Sequence, residues 1–177
     1  MTGYRVQYFD NITYLAKGTA MQKQAYVVLS KHAVFQCLNH YNPILAGTIP
    51  INIAIDDSDL DIICCFKIKD EFEISLKVNF SNCNNFKLTN AIINGKETVI
   101  ANFNLDNWPI EVFGQAIPTK QQAAYRHMIV EHRLLQQHGE SLRQQIIMLK
   151  QQGYKTEPAF AKILGLTGNP YEALLTL

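Results

Sequence analysis

Apolar positions recur along this chain with two periods, and the change between them outlines its elements. A weakly helical stretch in the first dozen or so residues ends at Gly18. Thr19 with Gln22 three residues on forms a capping box, which predicts a helix running to about Asn39. Ala25, Val28, Leu29, Val34, Phe35 and Leu38 make that helix apolar on several sides, so it is expected to be well buried. Asn42-Pro43 stops it, and Ile44-Leu45-Ala46 reads as a short strand that delivers Gly47-Thr48 to its end. The run Ile62-Ile63-Cys64-Cys65-Phe66 predicts a buried strand. Phe72, Ile74, Leu76, Val78 and Phe80 alternate, the clearest period of two in the chain, and predict another. The Asn-rich segment Ser81 to Asn85 reads as a turn or loop. Asn94-Gly95 predicts a hairpin turn leading into a strand near Thr98 to Phe103, and Trp108 to Phe113 a last strand. From Thr119 the pattern turns helical. Helices are expected over Gln121 to Gln137 and Glu140 to Gln152, the latter closed by Gly153, with further starts at Thr156 and at Asn169-Pro170. The order is a helix, a mostly β middle and a helical C-terminal third.

Composition narrows this little. A length of 177 residues, 47% hydrophobic and 18% charged, fits one compact α+β domain. We divide it into a core over 1–118 and a helical part over 119–177 packed on that core. A net charge of +1 gives no strong signal for nucleic acid or for anionic membranes. The charge is uneven, however: ten acids face five Lys or Arg between residues 51 and 112, whereas seven basic residues outnumber three acids between 120 and 162. The apolar runs are too short to span a bilayer and no signal peptide opens the chain, so a cytoplasmic location is expected. Cys37, Cys64, Cys65 and Cys83 lack metal-ligand spacing and read as buried, reduced thiols.

The chemistry concentrates at Ser58-Asp59-Leu60-Asp61-Ile62. Side chains alternate across a strand, so Asp59 and Asp61 share one face, with Cα atoms roughly 6.5 Å apart. Carboxylates at that spacing can bracket two magnesium ions about 4 Å apart, as in two-metal phosphoryl chemistry. A solvated acidic turn is the plainer reading of the run Asp56-Asp57-Ser58-Asp59-Leu60-Asp61, four acids in six residues, but Asp61 stands directly before five apolar residues.

Gly47-Thr48 followed by Asp59-x-Asp61 resembles the signature of the polymerase-beta-like nucleotidyltransferase superfamily. That resemblance implies a mixed sheet flanked by helices, Gly47 and Thr48 facing the phosphates of a nucleoside triphosphate, and Asp59 and Asp61 holding Mg²⁺ or Mn²⁺. It implies a third acid from a later strand, here Glu111. Ser58 and Arg126 are then expected on the nucleotide-binding side. More of the chain is similar to a bacterial domain-of-unknown-function family, number 4269, through Leu45-Ala-Gly-Thr-Ile-Pro50, Ser58-Asp-Leu-Asp-Ile62, Ile110-Glu-Val-Phe113, Arg126-His-Met128 and Lys155-Thr-Glu-Pro-Ala-Phe160. Against the superfamily pattern, the stretch from Ile49 to Ser58 has no Arg, Lys or second glycine, and Glu111 stands where an aspartate is commoner.

Plainer roles stand beside these. Glu111 has Arg126 or Lys120 as candidate ion-pair partners, and Asp106 and Glu97 are its rivals as third acid. His127 and Glu131, one turn apart, read as a surface or inter-element pair. Lys155 and Thr156 precede a helix N-terminus, which attracts anions. The expected function is Mg-dependent transfer of a nucleotidyl group from a nucleoside triphosphate to an unknown acceptor. The alternatives are a catalytically inactive nucleotide- or metal-binding module, or a component that engages a protein partner.

Overall fold

The computed structural model describes residues 9–177, so the start of the expected N-terminal helical stretch lies outside the described residues. What is described of that stretch includes a 3-10 turn, Thr13–Lys17. The capping box forms as expected: the Thr19 hydroxyl accepts from the Gln22 backbone N–H, and the Gln22 side chain accepts from the Thr19 N–H. It opens α1, Ala20–Lys31. The helix expected to reach Asn39 ends there instead. Ala33 adopts φ 51°, left-handed backbone that a helix interior does not accept, and a separate turn α2, Val34–Cys37, follows.

Five strands form one mixed sheet: β1 Ile44–Ala46, β2 Leu60–Cys65, β3 Asn84–Ile93, β4 Lys96–Leu105 and β5 Trp108–Gln115, in spatial order β1-β2-β5-β4-β3. Only β2 and β5 run parallel. Asn94 at φ 50° and Gly95 at φ 72° make the expected hairpin turn between β3 and β4. Part of the expected Asn-rich loop is in fact strand, since β3 begins at Asn84.

The largest correction falls on Phe72 to Phe80. This segment is helix, α3, Lys69–Phe80, not a strand. Phe72, Leu76 and Phe80, four residues apart, are buried, while Ile74 and Val78 are 60% and 76% exposed. Alternating apolar residues contain an i, i+4 series, so the same five residues fit either period. What decides is the sheet. Phe72 lies against Phe66 and over Gly114 of β5, where a Cβ would collide with its ring, and Phe80 stacks on Phe103 with ring centres 4.6 Å apart. Asp70 and Glu71 in the first turn and Lys77 in the last complement the helix dipole.

The sheet's two faces have different partners. Leu60, Ile62, Val112 and Ile110 join the cluster under α1 and α3. Ile44, Ala46, Ile63 and Phe113 face the other way, against the helical C-terminal third. That third consists of α4, Ala123–Gln151, α5, Thr156–Leu164, and α6, Pro170–Leu174, capped by Asn169. Gly139, at φ 69° and ψ −156°, breaks α4 into the two arms that the sequence implied. On one straight helix Glu131 and Lys150 would stand roughly 28 Å apart. Here each feels the other's charge, and the Arg143 charge reaches His132, so the second arm folds back beside the first. Among the described residues no helix is long and apolar enough to cross a membrane.

Candidate functional site

Asp61 and Glu111 are register partners on the parallel strands β2 and β5, so their side chains stand next to each other on one face. Ala46 of β1 is the partner of Asp61 on its other side, which brings Gly47 to the same end of the sheet. Gly47 has φ +74°, and a Cβ there would run into the Asp61 carboxylate. Only glycine fits this turn against that acid. Asp59 is exposed and lies just before β2 rather than on it.

The electrostatics follow from that crowding. Burial, then the charges of Asp59 and Glu111, push the Asp61 carboxyl up to about 7, with Lys150 and Lys155 opposing. Glu111 is also raised, by burial first and Asp59 second, with Lys155 opposing. Acids that repel one another in a half-buried setting relax on gaining a proton or a cation. As they stand, no three Asp, Glu, His or Cys among the described residues converge on one point. Asp61 and Glu111 fit a divalent cation as a pair, with Asp59 near enough for its charge to act on both. Glu111 has no ion-pair partner among the described residues. Lys120 is held by Asp10 at 2.6 Å, and the rivals are occupied elsewhere: Asp106 by Lys31 and His32, Glu97 by Lys69.

A cleft of about 450 Å³ opens between this face and the helices. Gly47, Thr48, Asp61 and Glu111 line it on the sheet side, and His127, Glu131, Lys155, Thr156, Glu157 and Tyr171 on the helical side. A larger cavity, about 760 Å³ and lined by Asp10, Tyr26, Asn39 and Lys120 among others, lies away from the carboxylates. Two expected nucleotide-side residues are not in the cleft wall. Arg126 is exposed on α4, and the Ser58 hydroxyl accepts from the Ile55 N–H at 2.9 Å, closing its own loop.

Several residues of the site escaped the sequence reading. The loop between Thr48 and Asp59 carries no cation of its own, yet three side chains from outside grip its carbonyls. Gln22 donates to the oxygens of Ile49 and Pro50, Arg143 to those of Ile51 and Asn52 at 2.6 and 2.8 Å, and Lys150 to that of Ile53 at 3.0 Å. Arg143→Met is therefore expected to lose about 2–3 kcal/mol in urea unfolding and to speed amide exchange at Ile53, whose N–H bonds the Thr48 carbonyl. Unchanged exchange there would mean that Arg143 does not hold the loop.

His127 and Glu131, expected at the surface or as a pair, are both buried and bond elsewhere or not at all. The Tyr171 carbonyl accepts from His127 Nε2 at 2.9 Å, so that nitrogen carries hydrogen, and Nδ1 lies 3.4 Å from Glu157. The missed signal was position. Met128, Glu131 and Leu135 fall on one helical stripe, and a carboxyl on an apolar stripe is a buried carboxyl. Of the four cysteines, Cys64 alone is fully buried; Cys37, Cys65 and Cys83 are half-buried, and all four are free.

A family model matches residues 27–177, the domain of unknown function DUF4269. The chain belongs to that family. No curated protein matches it. Among solved structures, the DUF4269 chain is similar to the Cid1 poly(U) polymerase with Mg 3'-dATP bound, at a TM-score of 0.55 and 11% identity, over 86% of this chain and 46% of that one. The same polymerase with MgGTP bound gives 0.54 and 9% over 78% and 46%. GLD-2 in its complex with RNP-8 gives 0.53 and 11% over 85% and 60%. At these identities the likeness is one of fold, and the fold of this DUF4269 chain is nucleotidyltransferase-like. The chain spans about half the length of the solved structures it matches.

Proposed function

We propose that this DUF4269 chain is a divalent-metal-dependent nucleotidyltransferase. It would move a nucleotidyl group from a nucleoside triphosphate to an acceptor hydroxyl, with residues 1–118 as the core and 119–177 closing the cleft. The observation that carries the reading is the in-register pair Asp61 and Glu111, beside a glycine turn with no room for a side chain. Asp59, Asp61 and Glu111 would hold Mg²⁺ or Mn²⁺. When bound, the metal supplies charge screening at the α-phosphate and lowers the pKa of a coordinated hydroxyl.

The chain's own residues do the rest. The Gly47 and Thr48 turn offers backbone N–H groups and a hydroxyl to the phosphates, and its geometry is fixed by the grip of Gln22, Arg143 and Lys150 on the following loop. Lys155 opposes the charge of Asp61 and Glu111 from across the cleft. Together with Thr156 at the start of α5, it supplies the positive field that the Ile49 to Ser58 loop lacks. The acceptor oxygen attacks the α-phosphorus, the bond to the bridging oxygen breaks, and pyrophosphate leaves. Arg126 and Ser58 remain as outer contributors, outside the cleft wall. A metal-bound, non-catalytic module is the second reading, favoured by the absence of any Arg or Lys between Ile49 and Ser58.

The test is incubation with each α-labelled nucleoside triphosphate, and separately with γ-labelled ATP, in Mg²⁺ or Mn²⁺ with cell extract as acceptor source. Label moving from the α-position supports transfer. Label moving only from the γ-position, or nucleotide binding without any transfer, rejects it.

A further inference from the structure

The helical wall of the cleft holds an acid that the metal-side chemistry leaves unused. Glu131 is 3% exposed, lines the cleft, and makes no hydrogen bond or ion pair among the described residues. Such a carboxyl is costly to bury unless something in the cleft uses it. The groups around it are accounted for. His127, one turn earlier, is taken up by Tyr171 and Glu157, and Lys150 from the second arm of α4 is held by the Ile53 carbonyl.

We propose, resting on the transferase reading above, that Glu131 is the general base for the acceptor. It takes the proton of the acceptor hydroxyl while that oxygen forms its bond to the α-phosphorus. The bond from the α-phosphorus to the bridging oxygen breaks, pyrophosphate departs with the electron pair, and Glu131 afterwards releases its proton to water.

Charge places the acceptor on this side. Once ionised, Glu131 joins Glu157 in repelling a triphosphate, which has the Gly47 turn on the opposite wall to hold it, while a neutral hydroxyl approaches an acidic wall freely. Asp61 and Glu111 are poorer candidates for the same task, since a cation held between them would lower their basicity. The proton affinity also suits the task. Burial first, and the charge of Glu157 second, lift the Glu131 carboxyl to about 8, with Lys150 opposing, so it exchanges its proton close to neutrality.

The experiment is single-turnover transfer from α-labelled nucleoside triphosphates with Mn²⁺ and cell extract, between pH 6 and 9, in wild type and Glu131→Gln. Wild type should rise with pH through a midpoint at about pH 8. Glu131→Gln should be slower by at least about a hundredfold at saturating nucleotide, lose the rise, and keep its nucleotide affinity within about twofold. Equal rates in the two proteins would overturn the inference and leave the transferase reading standing, as would a variant that loses nucleotide affinity in step with rate. Wild type that transfers nothing would end both. Should Glu131→Gln not fold, Glu157→Gln serves. Removing that charge should move the wild-type profile to lower pH, and an unmoved profile would overturn the assignment.

Discussion

Asp61→Asn is expected to make the protein more stable at pH 8 while abolishing nucleotidyl transfer. The Asp61 carboxyl ionises at 3.8 in an unfolded chain and at about 7 in the folded one. Between those values the folded state keeps a proton that the unfolded state gives up, so stability falls as pH rises through the window. Above pH 7 the full penalty of a buried, crowded carboxylate is present. Asn keeps the shape and removes the charge, which returns on the order of 2–4 kcal/mol at pH 8 and much less at pH 5. For a chain of this size that is roughly 5–12 °C in melting temperature. Mg²⁺ should then raise the melting temperature of wild type, because it binds the folded state alone, and leave the variant where it is. Transfer should drop by at least about a hundredfold. A variant that is less stable than wild type at pH 8, or that retains full transfer, would remove Asp61 from the site.

Phe72→Ala is expected to have the largest effect on the fold. Its ring is completely buried, packed between Tyr41 and Phe66 and seated over Gly114. Truncation leaves a cavity under α3 and should lose about 3–5 kcal/mol in urea unfolding. Val78→Ala on the same helix is the internal control. Val78 is 76% exposed, and its truncation should fall within about 0.5 kcal/mol of wild type. Were Val78 as sensitive as Phe72, the segment would have to be packed as the strand that its alternation suggests.

That pair of residues marks the boundary between what is local and what is not. Local rules set the capping box at Thr19, the Asn94-Gly95 turn, the Asn169 cap and the break of α4 at Gly139, because each depends on backbone chemistry within a few residues. They also placed Asp61 and Glu111 on strands and Gly47 just past the end of one, from the apolar run after Asp61, the apolar residues flanking Glu111 and the short run Ile44 to Ala46. Local rules could not choose a period for Phe72 to Phe80. They also missed the stop at Ala33, where the chain turns through a left-handed residue that no sequence signal announces.

The sequence by itself determined the α+β class and the helical C-terminal third, and it offered Asp59 and Asp61 as a pair, with Glu111 joining them only through the resemblance. Tertiary structure alone decided that Asp61 and Glu111 are neighbours, because β2 and β5 are parallel strands separated by a helix and a hairpin in the chain. It alone decided that Glu131 is a cleft residue and that Gln22, Arg143 and Lys150 hold the Thr48 to Asp59 loop. These contacts join segments from 27 to 97 residues apart, and only the register of the sheet and the fold-back of α4 bring such segments together.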